Sequence, residues 1–299
     1  MLKRVALLLA VNFLVIVTIS ILLNVLGIRP YMAANHIDYQ QLMLFCLVWG
    51  MGGAFISLGM SRIMAKWMMG VQVIDPNTTD SHAQALVQTV SRLARSANIP
   101  MPEVGVYQSP DINAFATGPT KARSLVAVSS GLLEQMDRGQ TEGVLGHEIT
   151  HIANGDMVTM TLLQGVVNAF AMFLSRVIAW AITQGRRSDD DERSYGPSMM
   201  TYMVQIAIEM VLLFLGSLLI MAFSRWREYR ADAGGARIAG RENMIAALQR
   251  LQGDVQVASQ TAQPAVQTLR ISSPGGMALL LMSHPPLEKR IERLQEMRA

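Results

Sequence analysis

Long uninterrupted apolar runs alternate along this chain with stretches in which charge and shorter hydrophobic patterns return. A membrane-crossing helix needs roughly 20 consecutive, mostly apolar residues, and four stretches reach that length. Val5 to Ile28 carries no charge and stops at Arg29-Pro30. It follows Lys3 and Arg4 as a signal peptide's apolar segment would, yet it is longer than such a segment and no small-residue cleavage site follows, so it reads as a retained anchor. Tyr39 to Ser61 is also free of charge and contains Gly50 and Ala54, small residues suited to close helix packing. The third run, about Met157 to Thr183, contains Arg176, and the fourth, about Met200 to Phe223, contains Glu209. Charges at such depth are costly and normally face a partner or water. A mutual Arg176–Glu209 pair, or snorkelling of one of them, is the plainest account; a role in a substrate path is the alternative. These two runs can also be read as long helices of a water-facing domain.

Between the runs the patterns shorten. Ser81 to Ala97 repeats apolar residues at helical spacing, and β-prone runs follow at Val104 to Gln108, Ala114 to Thr117 and Leu125 to Ser129. A helix is expected across Thr141 to Ala153 and another around Asn243 to Leu251. The small, polar stretch Gly253 to Thr268 reads as loop, and an amphipathic helix closes the chain from about Pro286. Lys3 and Arg4, Arg62 and Lys66, and Arg225, Arg227 and Arg230 flank the runs on what the positive-inside rule makes the cytoplasmic side. The loop between the third and fourth runs mixes Arg186, Arg187 and Arg193 with Asp189, Asp190, Asp191 and Glu192, and suits a solvated connection on the far side. The expected organisation is a mainly α membrane protein with about four transmembrane helices and a cytoplasmic α+β domain. Residues 1–61 form a first helix pair, 62–156 a first cytoplasmic part, 157–223 a second pair and 224–299 a second cytoplasmic part.

Composition agrees with a bilayer as solvent: 51% of residues are hydrophobic, only 16% are charged, and the mean hydropathy is +0.29. The net charge of +3 is too small and dispersed for a nucleic-acid partner. Cys46 is the only cysteine, which excludes an intrachain disulfide. The 22 methionines fall mostly in apolar stretches, where flexible packing explains them.

One polar constellation stands out. His147-Glu148-Ile149-Thr150-His151 is an H-E-x-x-H match. On a helix, residues four apart share a face, so both imidazoles can reach one Zn²⁺, while the adjacent Glu148 can take a proton from a water that the metal activates. A catalytic zinc needs a third protein ligand. His82 and His284 remain available and His36 falls in a short far-side loop, but the best acidic candidate is Glu228, with Asp232 four residues on. One of the two can bind metal while the other orients a ligand histidine; a solvated helix carrying alternating charges accounts for the same two residues. The third and fourth runs form a hairpin that returns the chain to the membrane face of His151. The motif helix is entered from polar Glu134 to Gln140 and leaves through Asn154-Gly155-Asp156 before the apolar run begins, which disfavours an intramembrane protease of the site-2 type. A non-enzymatic membrane protein with structural zinc is the remaining rival, and Glu148 beside the ligands argues against it.

His147-Glu148-x-x-His151-x-x-Asn154-x-Asp156, Glu228-x-x-x-Asp232 and Ser283-His284-Pro285-Pro286, in this order, resemble the motifs of the membrane gluzincin metallopeptidases over nearly the whole chain. The resemblance implies a zincin-type domain in which His147, His151 and Glu228 ligate one zinc ion and Glu148 is the general base. Asp232, with Asn154 and Asp156 of the first motif, would support the ligands. His284 and Arg290 would support the active site or the oxyanion. Asn113, Ala114, Phe115 and Ala116 match a segment that forms a substrate-binding edge strand, although alone they read as an ordinary short core strand. The family further implies a bacterial inner-membrane endopeptidase, with its catalytic part and both termini cytoplasmic. Its expected substrates are polypeptides, misfolded or damaged membrane proteins under stress.

Overall fold

The computed structural model describes residues 38–184, 199–261 and 284–297. The first apolar run, the charged connection at 185–198 and Ser283 lie outside the described residues. Within them the order is α1 (Tyr39–Met68), β1 (Gln72–Val73), α2 (Ser81–Ser96), β2 (Glu103–Tyr107), β3 (Ala114–Thr120), β4 (Arg123–Ser129), α3 (Ser130–Gln135), α4 (Arg138–Asn154), α5 (Asp156–Gln184), α6 (Met199–Ala239), α7 (Arg241–Thr261) and α8 (Leu287–Gln295). Three of these helices, α1, α5 and α6, are long and apolar enough to cross a membrane. The chain divides into two compact units. One contains Met160–Ile220 with the N-terminal part of α1, the other Leu58–Thr159 with the chain from Met221 onward.

In the first unit, small residues let helices approach. A Cβ placed on Gly50 would lie 2.6 Å from the backbone of Ala169, and one on Gly165 would meet Met51 at 2.7 Å. Side chains in hydrocarbon gain little from burial against each other, so such close backbone approach is the principal source of helix association. Arg176 lies over the Phe45 ring and donates to the Met172 carbonyl at 2.7 Å, while its Nη1 is 4.0 Å from Glu209. Ser175 donates to the same Glu209 carboxylate at 3.3 Å. The two charges are therefore neighbours, each with a further partner.

The second unit is built on a four-stranded sheet of order β1-β2-β4-β3, with β2 and β4 parallel and the other pairs antiparallel. Central β4 is buried on both faces: Val126 and Val128 point into the main core with Leu93, Leu145 and Ile149, while Leu125 and Ala127 pack with Tyr107 and Val71 on the other side. That double burial explains its continuous Leu-Val-Ala-Val run. Among the described residues β3 has a neighbour on one side only, which makes it an edge strand of this sheet.

Two helices run further than their sequence patterns suggest. The fourth apolar run does not end at Phe223 but continues as one helix to Ala239, about 60 Å long at 1.5 Å per residue. No proline interrupts residues 198 to 263, and Gly240, with φ +96°, ends the helix. Likewise, the stretch read as loop from Gly253 is helical as far as Thr261, while 262–268 lie outside the described residues. Gly253 costs about 1 kcal/mol relative to alanine in a helix, too little to stop one already nucleated.

Candidate metal centre

Helix α4 starts at a capping box: Asp137 accepts from the Gln140 backbone N–H at 2.8 Å, and the Gln140 side chain accepts from the Asp137 N–H at 3.2 Å. It ends at Gly155, whose left-handed conformation (φ +69°) lets its N–H close on the carbonyls of His151 and Ile152. The chain then restarts as α5 at Asp156. That break turns the Asp156 carboxylate back toward the helix it follows, and Asp156 Oδ2 lies 2.7 Å from His151 Nδ1.

His147 and His151 stand one turn apart on the buried face of α4. Each has its Nδ1 on a carboxylate: His147 on Asp232 Oδ1 at 2.9 Å, His151 on Asp156. With each Nδ1 on a carboxylate, the two Nε2 atoms point inward, 3.1 Å apart, and are the ring nitrogens that would turn to a metal ion on losing their protons. Glu228, fully buried on α6, completes the triangle, with Oε2 3.3 Å from His147 Nε2 and Oε1 3.4 Å from His151 Nε2. Burial would raise the Glu228 carboxyl, but hydrogen bonds from His147, His151 and His284 outweigh it and hold the group well below the usual carboxylate range. Burial would lower His147; its bonds to Asp232 and Glu228 raise it instead, to about 9. His151 is raised in the same way, by Asp156 and Glu228 against burial. Two imidazoles and one carboxylate are thus held where a cation is favoured.

These three residues offer ligand atoms close enough to share one metal ion. Zinc–donor bonds of 2.0–2.1 Å in a tetrahedron require donor pairs roughly 3.3 Å apart; the two Nε2 atoms are 3.1 Å apart, and Glu228 brings one oxygen within 3.3 Å of His147 and the other within 3.4 Å of His151. The residues fit zinc.

Around the triangle, Arg290 on α8 forms a two-pronged bond to Asp232, Nε to Oδ2 at 2.8 Å and Nη2 to Oδ1 at 2.6 Å. Burial would raise Asp232, and Arg290 and His147 together bring it below its ordinary value. Arg290 Nη1 also faces Glu228 at 3.9 Å. His284 is largely exposed and reaches Glu228 Oε2 at 2.8 Å through Nδ1. Glu148 is half-buried and lines a cavity of about 140 Å³ beside His147, with Asn113 and Ala114 at its rim. Phe115 and Ala116 continue along β3, and Phe115 packs on Tyr107. Asn154 stands apart: its Nδ2 is buried without a hydrogen-bond partner among the described residues.

Sequence reasoning found the convergent residues but not all that surround them. In the sequence Arg227, 3.2 Å from Glu228 Oε1, reads only as a flanking charge. The apolar wall of the cavity, from α3, α4 and α7, reads only as helix. The period of Asn243 to Leu251 gave a helix but no indication of which face would meet the metal site.

A family model described as peptidase family M48 matches residues 80–298. The chain is 48% identical to a protease HtpX homologue of Bacillus velezensis, covering 99% of both. It is 49% identical to protease HtpX of Shewanella baltica over 98% of this chain and 99% of that one. A homologue from Bacillus subtilis is 48% identical over 99% of each. Among solved structures, Ste24p of S. mikatae has a similar fold, with a TM-score of 0.60 and 16% identity, over 97% of this chain and 67% of that one.

Proposed function

The chain belongs to peptidase family M48 and is a membrane metallopeptidase of the HtpX type, and from that premise we propose that it is a zinc endopeptidase acting on misfolded or damaged membrane proteins at the cytoplasmic face of a bacterial inner membrane. The observation that carries the chemistry is the pair of buried histidines on α4, each tied through Nδ1 to a carboxylate, with their Nε2 atoms converging on Glu228. In this reading His147, His151 and Glu228 hold one Zn²⁺, and Asp232 and Asp156 orient the two histidines. When bound, the ion supplies a Lewis acid that polarises the scissile carbonyl and acidifies a water.

The protein's own groups do the rest. Glu148 accepts the proton of the attacking water on its carboxylate and delivers it to the leaving nitrogen. Arg290 keeps Asp232 charged and, with His284, offers hydrogen-bond donors where negative charge develops on the carbonyl oxygen. The edge of β3, unpaired among the described residues, aligns an extended substrate backbone along Ala114 to Ala116 and the preceding Asn113 by strand addition. The cytoplasmic location is supported by the Lys and Arg residues flanking the apolar runs and by the polar segments on both sides of the motif helix.

The test is cleavage of an unfolded membrane protein by the purified full chain in detergent, with and without Glu148→Gln. The variant is expected to fold, to retain zinc and to lose cleavage by a factor of about 10² or more. Full activity in Glu148→Gln would refute the assignment.

A further inference from the structure

The two oxygens of Glu228 are held by different groups. Oε2 is met by His284 Nδ1 at 2.8 Å and faces Arg290 Nη1 at 3.9 Å. Oε1 is met by Arg227 Nη2 at 3.2 Å. His284 is largely exposed and free to turn toward a substrate, whereas only 19% of the Arg227 side chain is exposed. We propose that Arg227 is a positioning residue of the metal centre. By holding Oε1 it leaves Glu228 one oxygen, Oε2, to offer the ion, and so keeps the fourth place of a tetrahedral site open; the inference rests on the zinc reading above.

The conformation of Arg227 supports this. Arg227 and Glu228 are neighbours on α6, so their Cβ atoms point about 100° apart around the helix axis. The guanidinium reaches its neighbour only by folding back along the helix surface. A long cationic side chain ordinarily lays its stem on apolar surface and keeps its head in water. Arg227 instead sets its head against a fully buried carboxylate, and its Nε is buried with no hydrogen-bond partner among the described residues. A buried donor left unmet is costly, so the contact with Glu228, rather than good placement of the remaining donors, holds the side chain there.

Charge gives the proposal a sign. A cation at Arg227 repels a zinc ion beside it, so if its charge were all it contributed, removing it would tighten zinc binding. If it fixes the carboxylate, removing it weakens binding, because the ligand then has no set orientation; loss of such a partner typically lowers metal affinity 10- to 100-fold. The two accounts predict opposite shifts.

The measurements use the purified full chain in detergent, as wild type, Arg227→Met and Arg227→Lys. Zinc affinity is read by competition with a chelator, coordination by the visible absorption of the cobalt(II)-loaded protein, and folding by the thermal midpoint without metal. Wild type is expected to show the intense absorption of four-coordinate cobalt. Arg227→Met is expected to bind zinc 10- to 100-fold more weakly and to lose that intensity, with a metal-free midpoint no lower than wild type, since Glu228 keeps its histidine partners. Arg227→Lys, which retains the charge and a donor, is expected to recover most of the affinity. Zinc binding by Arg227→Met as tight as wild type or tighter, an unchanged cobalt spectrum, or a lysine variant as weak as the methionine one overturns the proposal. Should Arg227→Met fail to fold, the wild-type cobalt spectrum still decides, because a weak, five-coordinate band overturns it. Wild type that takes up neither metal overturns the zinc reading itself. Wild type that binds zinc and cleaves nothing overturns the hydrolytic reading alone, and the affinities still decide the role of Arg227.

Discussion

Gly146, directly before the first histidine, decides how closely α4 can approach α6. A Cβ built there lies 2.8 Å from the Ala239 Cβ and 3.3 and 3.4 Å from the carbonyl oxygen and Cα of Gly235; conversely, a Cβ on Gly235 would meet the His147 backbone nitrogen at 3.0 Å. Consider Gly146→Ala. Helix propensity alone favours alanine by about 1 kcal/mol in a helix interior. Carbon atoms at their optimum stand about 3.5–4.0 Å apart, so relieving the Ala239 contact requires the helices to part by about 1 Å. Overpacking of this kind costs about 1–3 kcal/mol, which offsets or exceeds the propensity gain. The expected effect on stability is thus between neutral and about 2 kcal/mol of loss.

Metal binding is the sharper readout. Glu228 lies on α6 and both histidines on α4, with cross-helix separations of 3.3 and 3.4 Å. Parting the helices by about 1 Å takes both beyond the roughly 3.3 Å edge of a zinc tetrahedron. Zinc affinity, measured by competition with a chelator, is expected to fall at least tenfold. Adding Ala239→Gly removes the methyl that the new Cβ meets, and should restore most of the affinity. Gly146→Ala with wild-type affinity and a raised thermal midpoint would show that propensity dominates and that close approach of the helices is not what assembles the site.

Two further expectations concern the ligands' partners and the metal. Asp156→Ala frees His151 Nδ1 and is expected to weaken zinc binding 10- to 100-fold; an unchanged affinity would deny Asp156 an orienting role. Removing the metal with a chelator should lower the thermal midpoint reversibly, because free zinc at about 100 times its dissociation constant contributes about 2.7 kcal/mol to the folded state; a midpoint indifferent to chelator and to added zinc would mean that the site binds none.

The parts of this protein legible in its sequence are those governed by local periodicity. The apolar runs that fall within the described residues, the helix of the histidine motif and the three longer strands depend on patterns that a window of a dozen residues contains. The ends of elements are less legible, because they depend on chemistry outside the pattern. Asp137 and Gln140 form a capping box in an otherwise polar stretch and move the start of α4 back to Arg138. Nothing in the apolar run before Phe223 reveals that α6 continues through Arg227, Glu228 and Asp232 to Ala239.

That continuation has a chemical consequence. Glu228 and Asp232 lie one turn apart on a single rigid helix, so the carboxylate that meets both histidine Nε2 atoms and the one that holds His147 Nδ1 are placed by one backbone. α4 and α5 use the opposite device: the Gly155 break reverses Asp156 onto His151. One histidine is therefore positioned by a helix that does not stop and the other by a helix that does. Spacing in sequence could not show this, since the carboxylate at His151 comes from five residues on, across a left-handed glycine, and the one at His147 from a different helix, yet they end equally close, 2.7 and 2.9 Å. A substitution that straightened the Gly155 junction would release His151 and leave the Asp232–His147 bond in place, because that bond is set where α4 crosses α6, with Arg290 of α8 holding the Asp232 carboxylate.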